Sequence, residues 1–196
     1  MLTKTKIKIL QVFTSFITKN FSPTDISKIT GIDYKHAYTI IKSLKDENFL
    51  VSDHNLYKLN YKNNFQHLSY IENTKCEEFL KSKKNRFVKL LVIDVLNEMK
   101  LDFFIFIIFG STINESNPKD TDIFIIVENK EEIDKVEKQI QNIATTLKLD
   151  IHVHFKESVY EMLAKREDNN LVNEILNKHL IFYGAETFYR MLAKGR

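Results

Sequence analysis

The chain has 196 residues, is 43% hydrophobic and 28% charged, and carries a formal net charge of +3, the composition of a soluble globular protein with enough apolar residues for a packed core. Its longest apolar run falls far short of the ~20 residues that span a bilayer, and the basic opening MLTKTKIKIL lacks the long apolar segment and small-residue cleavage site of a secretory signal, so the expectation is a cytoplasmic protein with no membrane partner. Cys76 is the single cysteine, which excludes an internal disulfide and a cysteine-built zinc cage.

The charge is unevenly spread. Residues 1–62 hold 10 Lys/Arg against 5 Asp/Glu, a net of +5, and residues 63–196 hold 19 against 21, a net of −2. A basic front and a mildly acidic back imply two units with different partners.

In chain order, Ile9, Val12, Phe13 and Phe16 recur at i, i+3, i+4 and i+7 and predict a one-sided helix from Lys4 to Thr18. In "NFSPTDISKITGID", Ser22 is a good N-cap, Pro23 suits the first helical position, and Asp25 favours the helix N-terminus. Gly31 ends this short helix, where glycine tolerates a left-handed turn. Asp33 caps a third helix whose inner stripe is Ala37, Ile40, Ile41 and Leu44. The β-prone runs "FLVS" and "LYKLN" flank a polar turn at Asp53-His54-Asn55.

This order of helix, short helix, glycine turn, helix and hairpin resembles a winged helix-turn-helix domain, over about Lys4 to Tyr61. The resemblance implies a third helix placed in a groove of DNA or RNA, with Lys35, Lys42 and Lys45 meeting phosphate and His36, Tyr38 and Thr39 reaching base edges. The same lysine face also suits a protein–protein module.

Residues 63–84 read as a connecting helix with polar ends. The next helix, Arg86 to Met99, is expected to be apolar along Phe87, Leu90, Leu91 and Val95, with Leu96 offset. The run 103–109 is apolar on both faces, as for a central strand, and 122–127 reads the same way. A charged helix is expected from Glu131 to Leu147. "LDIHVHF" alternates strictly, with Asp150, His152 and His154 on one face and Ile151, Val153 and Phe155 on the other. The two histidines read as solvent-facing. A long helix from Ser158 to Asn177 follows, then a short strand, a turn at Gly184 and a last helix, with Tyr183 and Tyr189 as packing residues.

The stretch "FGSTINESNPKDTDIFIIV", residues 109–127, carries the chemistry. Residues i and i+2 of a strand share a face, so Asp120 and Asp122 project together at the mouth of a buried strand. Two such carboxylates repel unless a cation bridges them, and an oxygen-rich site suits Mg²⁺. Gly110-Ser111 lets a polyanion approach the backbone closely. The apolar strand, Gly-Ser, a loop of this length and Asp-x-Asp resemble the DNA polymerase β-like nucleotidyltransferase superfamily, over about residues 85–196. The closing "LIFYGAETFYRML" also resembles its minimal members.

The resemblance implies an NTP held by Gly110 and Ser111, two Mg²⁺ ions held by Asp120 and Asp122, and transfer of a nucleoside monophosphate to an acceptor. Asp150 best matches the third carboxylate. There are three departures: Thr112-Ile113-Asn114 lies where many relatives carry Gly or Arg, Thr121 replaces the usual apolar residue between the aspartates, and Lys119 lies where serine is common.

The expected fold class is therefore α+β: a winged helix-turn-helix domain at 1–62, a connecting helix at 63–84 and a small mixed-sheet nucleotidyltransferase-like domain at 85–196. The expected activity is Mg²⁺-dependent transfer from an NTP to a hydroxyl on protein, nucleic acid or a small molecule. Rival expectations are a winged-helix regulator whose back domain senses nucleotide, and an antitoxin-like partner of a toxin. A homodimer is compatible with either.

Overall fold

The structure is a computed structural model that describes residues 2–114, 120–143 and 148–196. It is a mixed α+β chain in which three helices and a hairpin precede a four-stranded sheet.

The front elements follow the expected order: α1 (Lys4–Ser15), α2 (Pro23–Thr30), α3 (Tyr34–Asp46), β1 (Leu50–Asp53) and β2 (Leu56–Leu59). Ser22 and Asp25 form a reciprocal capping box on α2, and Gly31 ends it at φ 69°. The stripe Ala37, Ile40, Ile41 and Leu44 is buried as expected. His54 and Asn55 close the hairpin with φ of 42° and 69°. On α1 the burial departs from the sequence reading: Leu10, Thr14 and Ile17 are buried along with Ile9 and Phe13, whereas Val12 and Phe16 are only partly covered. The reason is that α1 packs on two sides, against α2 and α3 and against α4 (Phe65–Lys81).

Helix α4 lies within the stretch 63–84 expected to be helical, and it is a core element. Its inner face buries Leu68, Ile71, Glu72, Lys75 and Cys76, and it touches α1, α10 (Ala185–Gly195) and β6 (His179–Tyr183). One apolar cluster consequently runs without a break from Ile9 in α1 to Leu192 in α10. Backbone bonds join the two parts as well: the Ile17 N–H donates to the Leu176 carbonyl at 2.9 Å, and the Lys178 N–H to the Ser15 carbonyl at 2.7 Å.

The sheet has strand order β5-β4-β3-β6, with β3 (Phe104–Phe109), β4 (Thr121–Val127) and β5 (Leu149–Phe155). β3 runs antiparallel to both β4 and β6, and β4 and β5 are parallel. All six residues of β3 are buried, as its two-faced apolar pattern requires. Strand alternation sorts them: Phe104, Phe106 and Ile108 pack beneath α5 (Arg86–Glu98) and α7 (Ile133–Ile143). Ile105, Ile107 and Phe109 join the other face, with α10 and α8 (Lys156–Ala164).

Two helix expectations need correction. The helix expected at 158–177 is two helices, α8 and α9 (Leu171–Ile175). Asn170 caps α9 by accepting the Asn173 N–H at 2.9 Å, while the Asn173 amide donates to the carbonyls of Lys165 and Asp168. These side-chain bonds offer the backbone an alternative to continuing the helix. On α5 the buried residues are Val88, Leu91, Val92 and Val95, while Phe87, Leu90 and Leu96 face outward. The helix is apolar nearly all round, so periodicity alone cannot choose its inner face. Within the expected helix Glu131 to Leu147, α7 accounts for Ile133–Ile143, and 144–147 lie outside the described residues.

Candidate functional site

The strand register brings the expected carboxylates together. Asp122 on β4 is the direct partner of Asp150 on β5, and on its other side it faces Phe109 at the end of β3. Partners in register share a sheet face, so the two carboxylates project side by side. Asp120 sits in the bend just before β4. Thr121 between the aspartates is buried, and its N–H donates to the Lys148 carbonyl at 2.9 Å, which ties the start of β4 to the chain feeding β5.

Gly110 has φ +70°, and a Cβ there would stand 2.0 Å from Asp122 Oδ2 and 2.8 Å from its Cγ. Glycine is thus required twice, for the left-handed backbone and for the carboxylate that lies against it. The one-turn helix α6 (Ser111–Asn114) begins at the next residue, and its first N–H, of Ser111, favours the charged form of the Asp122 carboxylate. Gly110 therefore lies directly against the Asp122 carboxylate, with Ser111 the next residue along the chain.

Burial raises the Asp122 pKa above the ordinary carboxylate value, and repulsion from Asp120 and Asp150 raises it further; the Ser111 N–H and His152 act in the opposite direction. Lys148 Nζ is 3.6 Å from Asp120 Oδ2 across a partly exposed gap. His152 Nε2 is 3.4 Å from Asp150 Oδ1. The two histidines are not simply solvent-facing. His152 lies against Phe109 at 6.0 Å between ring centroids, and His154 stacks on Phe124 at 5.3 Å. Burial lowers the His154 pKa, and the neighbouring His152 adds to that.

One contributor was not anticipated. Thr112 is buried, and its Oγ1 donates to the Asp120 carbonyl at 3.0 Å. It therefore ties the start of the loop to its end, so the departure at this position has a local structural role. Pro118 and Lys119 lie outside the described residues. Among the described residues, no three His, Cys, Asp or Glu side chains close into a ready-made metal cage; the aspartates are instead an open, mutually repelling group.

On α3, Lys35, His36, Thr39, Lys42 and Lys45 are all exposed or partly exposed, as is Tyr38. Tyr34 and Tyr38 stack at 6.1 Å, and Lys42 Nζ lies 4.6 Å from the centre of the Tyr38 ring. Asp46 and Glu47 stand at the end of this face, where Glu47 is paired with Lys6.

A second polar group, invisible to motif reading, lies where α1, α4, β6 and α10 meet. The buried Glu72 carboxylate accepts from the Tyr189 hydroxyl at 2.8 Å and from Lys75 Nζ at 3.0 Å. His179 Nε2 stands 3.5 Å from Glu72 Oε1, and Lys75 Nζ also reaches Thr14 at 3.5 Å. Burial pushes the Glu72 pKa up, but Lys75 and His179 more than cancel this and hold it at about 2. Tyr189, expected as a packing residue, is thus also a hydrogen-bond donor. Tyr183 stacks on Phe104 at 4.2 Å with its other side exposed.

Compared with known proteins, the chain matches no family model, no curated protein and no solved structure.

Proposed function

We propose that the protein is a Mg²⁺-dependent nucleotidyltransferase that moves a nucleoside monophosphate from an NTP to a hydroxyl acceptor on protein, nucleic acid or a small molecule. The observation that carries this reading is the register pairing of Asp122 with Asp150, with Asp120 one bend away and Gly110-Ser111 alongside. The donor set suits the metal: three hard carboxylates, with Asp122 pushed up by burial and by the charges of Asp120 and Asp150, offer oxygen ligands and negative charge to a divalent cation. Asp120, Asp122 and Asp150 would hold Mg²⁺, which when bound supplies charge neutralisation at the phosphates and an activated acceptor oxygen.

The chain's own residues do the remaining work. Gly110, without a side chain, leaves its backbone accessible to a triphosphate and lets Asp122 lie against it. The Ser111 N–H acts against the upward push of burial on the Asp122 carboxyl. Thr112 keeps Asp120 tied to the loop start. Asp150, more exposed than Asp122 and beside His152, is placed to accept the acceptor's proton at its carboxylate oxygens.

The front unit serves as a winged helix-turn-helix module that brings the enzyme to DNA or RNA, with Lys35, Lys42 and Lys45 as the phosphate-contacting set. That same face favours a second reading, a nucleic-acid-binding regulator whose back unit senses nucleotide without turning over.

The two readings separate in one experiment. Purified protein is incubated with α-labelled NTPs, Mg²⁺ and cell lysate. Label moving onto an acceptor with the wild type, and not with Asp122→Asn, supports the transferase. Nucleotide binding with no transfer favours the sensor, and neither binding nor transfer removes the nucleotide site altogether.

A further inference from the structure

Helix α5 carries apolar side chains that the described residues leave uncovered. Phe87, Leu90, Ile93 and Leu96 are 60%, 48%, 42% and 38% exposed, while Val88, Leu91, Val92 and Val95 on the other side fill the core beneath the sheet. A helix with apolar residues on nearly every side belongs between two packed layers, and the described residues supply one of them. At i, i+3, i+6 and i+9 successive members of this set are neighbours, so they form a stripe winding across the exposed side among Arg86, Lys89, Asp94 and Asn97, with Leu90 and Ile93 at its centre.

The charges on this helix point to what covers it. Its N-terminal end is basic, with Lys83, Lys84, Arg86 and Lys89, and its C-terminal half carries Asp94 and Glu98, with Lys100 beyond the helix end. Among the described residues, none of them is in an ion pair. Beside the acidic half runs a groove of about 480 Å³ between α5 and α7, lined by Asp94, Asn97, Glu98, Gln139, Asn142 and Ile143.

We propose that α5 is a homodimer interface, in which two copies of this chain pack their α5 helices antiparallel about a two-fold axis. The outermost line of the helix is Arg86, Leu90, Ile93 and Asn97, spaced i, i+4, i+7 and i+11, the spacing of a two-helix seam. Antiparallel pairing sets Leu90 of one copy against Ile93 of the other. It also sets Arg86 against Asn97, at a groove that offers a guanidinium two carboxylates and several amide acceptors. A two-fold axis makes each contact twice, so one self-complementary helix serves both copies. Parallel pairing would instead place basic end on basic end and acidic on acidic. This surface is independent of the chemistry at Asp120, Asp122 and Asp150.

A single helix of this length, about 20 Å long, covers a modest area, so the dissociation constant is expected on the order of 10 μM. Sedimentation velocity of the full chain across that range should show the mass double, with the dimer weakening as salt rises. Ile93→Glu, at a site outside the core, should raise the dissociation constant at least about tenfold with the far-ultraviolet circular dichroism unchanged. Cross-linking tests the orientation. Cys76 is buried, so introduced thiols report alone. Arg86→Cys mixed with Asn97→Cys should form a disulfide between copies, and Arg86→Cys by itself should not. A wild type that stays monomeric well above the expected constant overturns the proposal and leaves the face to a different protein. A dimer indifferent to Ile93→Glu overturns it, as does Arg86→Cys joining to itself.

Discussion

Asp122 and Asp150 are register partners on the parallel strands β4 and β5, 28 residues apart in sequence and side by side on one sheet face. Burial, then repulsion from Asp120 and from Asp150, raises the Asp122 pKa. A folded-state pKa raised above the unfolded value means that the folded chain holds the proton more tightly. This contribution to stability is fully present below the ordinary carboxylate pKa and is lost as pH rises through the folded value. The metal-free protein should therefore lose stability across that window, and Asp122→Asn should remove the dependence. Urea melts at stepped pH check it, and an unchanged profile in Asp122→Asn would sink the repulsion account.

With Mg²⁺ and NTP, the same substitution should have the opposite consequence. Wild-type protein should melt at a higher temperature when the ligand pair is added, because only the native state binds it. Asp122→Asn should show no such rise, and transfer should fall by several orders of magnitude. Equal thermal shifts in both proteins would remove Asp122 from the metal site.

Gly110→Ala tests the same contact from the backbone side. The methyl group would stand where Asp122 Oδ2 now lies, at a positive φ. Strain of this kind costs about 1–3 kcal/mol, and Asp122 must also move. The variant should be less stable by at least that amount and inactive in transfer, as measured by denaturant unfolding and the labelled-NTP assay.

Thr112→Val keeps the side-chain shape but removes the donor to Asp120. The loss of one half-buried hydrogen bond should cost about 0.5–1.5 kcal/mol in chemical denaturation. If Thr112 merely fills space, valine should be neutral.

The Glu72 network predicts acid sensitivity in the joint between α1 and the sheet. Lys75 and His179 hold the folded-state pKa at about 2 against an ordinary 4.5. Stability from this depressed pKa is present above the ordinary value and lost as pH falls toward the folded one. Glu72→Ala strands Lys75 as a buried, unpaired charge and should cost about 3–5 kcal/mol. Tyr189→Phe, which removes one hydrogen bond to a charged acceptor, should cost about 1.5–3 kcal/mol. A Glu72→Ala protein as stable as wild type at neutral pH would show that the network contributes little.

For the nucleic-acid reading, replacing Lys35, Lys42 and Lys45 together should flatten the salt dependence of duplex binding. The log–log slope should fall by about 0.9 for each phosphate that a lysine no longer neutralises. An unchanged slope in a titration of the triple variant would place the binding surface elsewhere.

Elements whose pattern is local were legible in the sequence. The Ser22-Pro23-Asp25 cap, the α3 stripe, the hairpin turn and the six-residue apolar β3 are each specified by residues within a turn or two, and they stand where periodicity put them. Gly110 and the two nearby aspartates were legible for the same reason, since a strand end and an i, i+2 spacing are short-range properties. What joins distant segments was not. The pairing of Asp122 with Asp150 depends on β4 and β5 lying parallel and in one register. The Thr112 tie needs the loop closed, and the Glu72 network draws on α1, α4, β6 and α10. The inner face of α5 was undecidable because apolar residues occur on nearly every side of it, interleaved with charged ones. Local patterns constrain φ, ψ and which residues share a face, but burial is a contest among all apolar surfaces at once, and only the packed chain decides which of them water keeps.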